Sequence, residues 1–117
     1  MKQGGVYRYA QIRPGREDDE RTPYRVIVTA TDQIAPDTTW VQVARVENRD
    51  PGLLMAVPFT DADPRTGWIR VDQIDTVYTP WLVGPDDSRE PYGECTPETW
   101  AKIRTRLKAR FGLWDDE

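Results

Sequence analysis

Trp68, Arg70 and Asp72 stand at alternate positions in the run Thr66-Gly67-Trp68-Ile69-Arg70-Val71-Asp72-Gln73. The run reads as a strand leaving a turn, and strand alternation puts these three side chains on one face. An aromatic ring, a guanidinium and a carboxylate then share a patch of roughly 13–14 Å on a rigid element. Such a patch suits holding and polarising a phosphate, because arginine offers five donors in a planar fork. The same three residues also suit a solvated ion pair on an exposed face. Residue types elsewhere narrow the chemistry. The chain has no histidine, which excludes Ser-His-Asp and Cys-His nucleophile systems and histidine acid–base pairs. Its single cysteine, Cys95, can close no internal disulfide and builds no zinc cage, so no metal site is expected. No glycine-rich phosphate loop of either common type is present. Chemistry must come from carboxylates, arginines, hydroxyls or tyrosines.

The elements that would position these groups are mostly strands. At 117 residues the chain is expected to form a single domain over 1–117 with one modest core. The pattern predicts strands over 5–12, 24–30, 40–47, 53–59, 67–73 and 75–83, the last interrupted near Pro80. Residues 24–30, apolar on both faces, suit a central buried strand. A loop at 13–23 carries the acidic cluster Glu17-Asp18-Asp19-Glu20, and Asn48-Arg49-Asp50-Pro51-Gly52 is a strong turn signal. A linker over 84–95 leads to Thr96-Pro97-Glu98, which reads as an N-cap, a proline at the first helical position and an early acid. The helix over about 97–111 carries Trp100, Ile103, Leu107 and Phe111 on one stripe, and Gly112 is its stop. Its cations Lys102, Arg104, Arg106, Lys108 and Arg110 read as a solvated face, and the tail Trp114-Asp115-Asp116-Glu117 as a frayed end. The expected architecture is mainly β with a C-terminal helix, a small, strongly bent antiparallel barrel with the helix packed on it. No apolar run is long enough for a membrane span or resembles a signal peptide, so a soluble cytoplasmic protein is expected. The net charge of −4 argues against a non-specific nucleic-acid coat, though not against a local basic cleft.

Three segments in this order resemble the MazF/PemK/Kid toxin family. Gly67, then Arg70-Val71-Asp72-Gln73, is similar to its late-strand pattern; Thr96-Pro97-Glu98 and the apolar helix resemble its closing helix; Gly5-Val6-Tyr7 resembles its opening strand. A second resemblance is to CcdB, the gyrase-poisoning toxin of the same SH3-like barrel superfamily. It rests on Val6-Tyr7 and Tyr9, on Tyr24-Arg25 before an apolar strand, and on Phe111-Gly112-Leu113-Trp114. The first resemblance implies the toxin of a type II toxin–antitoxin pair: a metal-independent, cofactor-free endoribonuclease that cuts single-stranded RNA in short motifs. It also implies a cognate antitoxin protein as partner and a homodimer with the site in or beside the interface. The second implies the alternative of a non-enzymatic growth inhibitor or an inactive binding module.

Two departures from the MazF pattern are visible. The family's Arg-Pro pair is broken here as Arg21-Thr22-Pro23-Tyr24-Arg25, leaving Arg25 to present its guanidinium from the second strand. Where the family has a threonine or serine, this chain has Arg45-Val46-Glu47. In RNA cleavage the ribose 2′-hydroxyl attacks its own phosphate, and the protein stabilises charge and moves protons. Arg70 and Arg25 are the expected charge stabilisers. Asp72 is the family-matched base, although an adjacent Arg70 would lower its pKa and make it an orienter of the arginine. Trp68, Arg45 and Gln73 complete the site as RNA-binding residues, and Trp68 and Trp40 offer rings for bases to stack on.

Overall fold

The computed structural model describes residues 1–10 and 23–113. The acidic cluster Glu17-Asp18-Asp19-Glu20, Gln11 and Ile12 of the expected first strand, Arg21-Thr22 and the tail from Trp114 lie outside the described residues.

Among the described residues, seven strands and one α-helix follow in the order β1 (Gly5–Tyr9), β2 (Tyr24–Ile27), β3 (Trp40–Glu47), β4 (Ala56–Pro58), β5 (Trp68–Tyr78), β6 (Leu82–Val83), β7 (Gly93–Glu94) and α1 (Pro97–Phe111). One antiparallel sheet runs β4-β5-β3-β2-β1-β6, with β7 also paired to β1. It curls into a half-barrel, so the expected mainly-β architecture closed by a C-terminal helix is the one observed. Alternation divides the apolar residues between the two faces. Val6, Val26, Ala44, Val46, Val57, Ile69 and Val71 face α1 and pack with Ile103, while Tyr7, Tyr9, Ile27, Val41, Val43, Val77 and Leu82 form a second cluster on the opposite face. β2 is central and buried as expected, lying between β1 and β3.

Several boundaries are corrected. The strands expected at 67–73 and 75–83 are a single strand, β5, of 11 residues. β3 pairs with it from Trp40↔Tyr78 to Ala44↔Ile74, then from Arg45↔Arg70 to Glu47↔Trp68, so Val71, Asp72 and Gln73 bulge out of that ladder. Val71 and Ile74 consequently both pack toward the helix-side core although three positions apart, which breaks the period of two and imitates a strand boundary. Pro80 lies in a 3₁₀ turn over Thr79–Trp81, and the chain then pairs with β1. β4 starts only at Ala56, because the Ala56 amide closes a turn on the Leu53 carbonyl at 3.1 Å. β1 and β2 are also shorter than expected. The segment expected as a linker over 84–95 contains a 3₁₀ turn over Pro85–Asp87 and all of β7.

The helix ends match the sequence. Thr96 Oγ1 accepts the Thr99 amide at 3.2 Å, and Gly112 ends the helix at φ 66°, with Leu113 N bonded to Lys108 O at 2.7 Å. The stripe is corrected at its end. Ile103 is buried and Phe111 exposed, because Arg110, two turns on from Ile103, takes the sheet-facing position. The solvated cation face is corrected too. Arg106 Nε donates to Leu54 O at 2.6 Å and Arg110 Nη1 to Val71 O at 3.2 Å. The second of these ties the helix to the β5 bulge.

Asp63, in the loop between β4 and β5, fastens that loop to the helix start. Its Oδ1 accepts the Thr96 amide at 2.8 Å; its Oδ2 accepts the Thr60 amide at 2.7 Å and the Thr99 hydroxyl at 2.5 Å. Burial pushes the carboxyl up, but these hydrogen bonds outweigh it and bring its pKa below the ordinary value. A folded pKa below the unfolded one stabilises the fold above the unfolded value, and that contribution is lost as pH falls through the folded one. We expect Asp63→Asn to lower the thermal midpoint at neutral pH and to flatten its fall below about pH 4. An Asp63→Asn melting curve superimposable on wild type from pH 7 to pH 3 would contradict this role.

Candidate active site

The sheet register assembles the site. Across neighbouring strands Tyr7 lies opposite Arg25, Arg25 opposite Arg45, Arg45 opposite Arg70, and Arg70 opposite Ala56. Residues directly opposite in an antiparallel pair share a face, so three arginines line up at lateral steps of about 4.8 Å. The face is the one turned away from α1, since Arg25 alternates with Val26 and Arg45 with Ala44 and Val46, all in the helix-side core. Like charges directly opposite one another are destabilising. A row of three is maintained only where acceptors, π faces or anions meet the guanidinium groups.

Arg25 and Arg70 meet that demand differently. Arg25 is buried, donates from Nη1 to Tyr24 O at 2.9 Å and lies 5.4 Å from the centre of the Tyr9 ring. Arg45 is buried as well. Arg70 keeps 13% of its side chain exposed and is flanked by two carboxylates. Its Nε donates to Asp72 Oδ1 at 2.8 Å and its Nη2 to Asp72 Oδ2 at 2.6 Å, a bidentate fork. Its Nη1 donates to Glu47 Oε1 at a longer 3.4 Å. Hydrogen bonds to Asp72 raise the arginine further above its ordinary range. The reciprocal bonds from Arg70, with a contribution from Arg110, hold Asp72 below the usual carboxylate range. Asp72 is therefore a weak base and a firm anchor.

Local backbone explains why this constellation forms. Asp72 and Gln73 sit in the β5 bulge, and the extra residues let Asp72 turn back onto Arg70 two positions earlier. The bulge is held by Val71 N bonded to Met55 O at 3.0 Å and by Arg110. Gly67 precedes β5 at φ 132°, and a Cβ there would stand 2.6 Å from the carbonyl oxygen of Glu47. Only glycine permits that approach, which brings the ends of β3 and β5 together.

Of the sequence-expected residues, Arg25, Arg45, Arg70 and Asp72 come together on one face. Trp68 stands opposite Glu47, half-buried, one step along the face from the arginine row. Gln73 lies exposed in the bulge. Trp40 does not join them. It shares the helix-side face with Ala44 and Val46, roughly 17 Å of strand from Arg45, and rests on Tyr78 at 5.3 Å between ring centres. Glu47, outside the sequence-expected set, also stands on this face in contact with Arg70, at the end of β3 where the resembled family has a hydroxyl. Alternation from Arg45 was the available signal. Cys95 has no place in the chemistry, since burial pushes its thiol up to about 12.

No protein-family model and no curated protein matches the chain. Solved structures do. An endoribonuclease from a mycobacterial species superposes with a TM-score of 0.71 at 27% identity, covering 98% of this chain and 95% of that one. An endoribonuclease in complex with its cognate antitoxin, also mycobacterial, gives 0.71 at 28% identity over 98% and 99%. The Mycobacterium tuberculosis toxin MazF-mt6 matches in fold, with a TM-score of 0.70 at 15% identity over 95% and 99%.

Proposed function

We propose that this chain, which belongs by fold with the MazF-type toxins, is the toxin of a type II toxin–antitoxin pair and acts as a metal-independent endoribonuclease on single-stranded RNA. The observation that carries the reading is the arginine row with its paired carboxylates. Arg25, Arg45 and Arg70 lie side by side across three strands, and only Arg70 combines exposure with a fixed orientation. Two of the relatives that share the fold bear the name endoribonuclease, one of them solved with its antitoxin.

In this reading the scissile phosphate sits against Arg70. Asp72 orients the guanidinium by its fork, and three of its five N–H groups are already engaged by Asp72 and Glu47. The other two are available to non-bridging oxygens, whose charge grows as the 2′-oxygen attacks. Arg25 and Arg45, being buried, contribute field more than contact. Charges in a low-dielectric setting act over longer distances than in water. Trp68 stacks a base beside the phosphate, and Gln73 contributes amide hydrogen bonds from the bulge. The chain works as a homodimer in the cytoplasm and is silenced by a cognate antitoxin. No helix among the described residues is long and apolar enough to cross a membrane.

The reading predicts that purified protein cuts single-stranded RNA in the presence of EDTA, leaving 2′,3′-cyclic phosphate and 5′-hydroxyl ends. Growth arrest on expression should accompany transcript cleavage. Arrest with intact transcripts would contradict the nuclease and favour a non-enzymatic inhibitor on the same fold.

A further inference from the structure

Two carboxylates flank Arg70, and their geometries differ in kind. Asp72 spends both oxygens in the fork, at 2.8 and 2.6 Å. A proton on either oxygen would cost one of those charge-assisted bonds. Glu47 touches the same guanidinium through Oε1 alone, at 3.4 Å, and 26% of its side chain is exposed, twice the share of Arg70. Among the described residues, its one side-chain hydrogen bond is that from Arg70 to Oε1. Glu47 is also the last residue of β3, at the rim of the sheet, with Trp68 opposite. Asp72 is the more exposed carboxylate, 31% against 26%, but both of its oxygens are held by Arg70, whereas Glu47 contacts the guanidinium through Oε1 alone.

We propose that Glu47 is the general base that deprotonates the attacking ribose 2′-hydroxyl, a role that rests on the endoribonuclease reading. Glu47 Oε2 takes the 2′-hydroxyl proton as the 2′-oxygen forms its bond to phosphorus. The bond from phosphorus to the 5′-oxygen breaks, and the proton passes from Glu47 through solvent to that departing oxygen. The products are a 2′,3′-cyclic phosphate and a free 5′-hydroxyl, and no co-reactant is consumed. Among the described residues, the charged groups facing Glu47 are Arg70 and Asp72 of β5, Arg45 of its own strand and, one strand further, Arg25. Arg110 reaches the bulge from the helix side.

The test is single-turnover cleavage of a fluorogenic single-stranded RNA in EDTA across pH, for wild type, Glu47→Gln and Asp72→Asn. Affinity is measured in parallel with the 2′-deoxy form of the same oligonucleotide. Glu47→Gln is expected to lower the rate about 10²–10⁴-fold, to leave affinity for the uncleavable oligonucleotide unchanged, and to abolish the rise of rate with pH on the acid side. Asp72→Asn is expected to slow cleavage while keeping that rise. Should Glu47→Gln fold poorly, Glu47→Asp provides the same test, slow but with the acid-side rise retained. Glu47→Gln cutting as fast as wild type would overturn the proposal and leave the nuclease reading intact. Loss of the rise in Asp72→Asn but not Glu47→Gln would do the same. A wild-type protein that leaves RNA whole removes both.

Discussion

Arg70→Ala is expected to abolish transcript cleavage and growth arrest together, with a fall in the single-turnover rate of roughly 10²–10³-fold. Arg70 is the one member of the arginine row that is both partly exposed and held in a bidentate fork. Removing it takes away the donors aimed at the phosphate. It also leaves Glu47 and Asp72 without the cation between them, so the site becomes repulsive to RNA. Arg70→Lys should recover little. An ammonium is a point charge and cannot satisfy both Asp72 oxygens while presenting planar donors to a phosphate. Stability should fall too, since two largely buried carboxylates lose their shared cation, so the rate is compared at a temperature where each variant is folded. The measurement is cleavage rate beside thermal midpoint for each variant. Full activity in Arg70→Ala would remove the phosphate clamp from this face of the sheet.

The second large effect concerns the helix. Ile103→Ala should cost about 2–5 kcal/mol, lowering Tm on the order of 10 °C. Ile103 is fully buried against Val6, Val26, Ala44, Val46, Val57, Ile69 and Val71, and it is the one apolar side chain of α1 with no exposed surface. A cavity there loosens the helix from the sheet. With it goes the hydrogen bond from Arg110 to Val71 that steadies the bulge, so cleavage should fall as well. Phe111→Ala is the control. Phe111 lies on the same apparent stripe but is 58% exposed, so its loss should stay within about 0.5 kcal/mol. Paired melts of the two variants decide the matter, and equal losses would mean that α1 packs in a different rotation.

Much of this arrangement was legible in the residues. Thr96, Pro97 and Gly112 marked the helix ends because capping is local chemistry, settled within one turn of chain. β3 was read with its observed ends because Trp40–Glu47 is apolar-rich, uninterrupted by glycine or proline, and followed by a strong turn. The split of β5 into two strands had the opposite origin. Its alternation slips at Val71-Asp72-Gln73, and a slipped period looks like an ended strand when the partner is unseen.

The site divides in the same way. Arg70 and Asp72 could be paired from sequence, since two positions along one strand face is a local relation. Arg25 and Arg45 lie on other strands, far from Arg70 in the chain. That they stand in one row with Arg70 depends on which residue opposes which, and register is a property of paired strands. Nothing near Glu47 in the chain marks it, because its partner, Arg70, is 23 residues away. By itself, then, the sequence determined strand-forming segments, helix caps, the absence of histidine and the Arg-x-Asp motif, all of them short-range. Only the tertiary structure decided that a bulge folds Asp72 onto Arg70, that the register lines up three arginines, and that Glu47 meets Arg70 through one oxygen. Those outcomes depend on long-range pairing, to which no single stretch of chain commits.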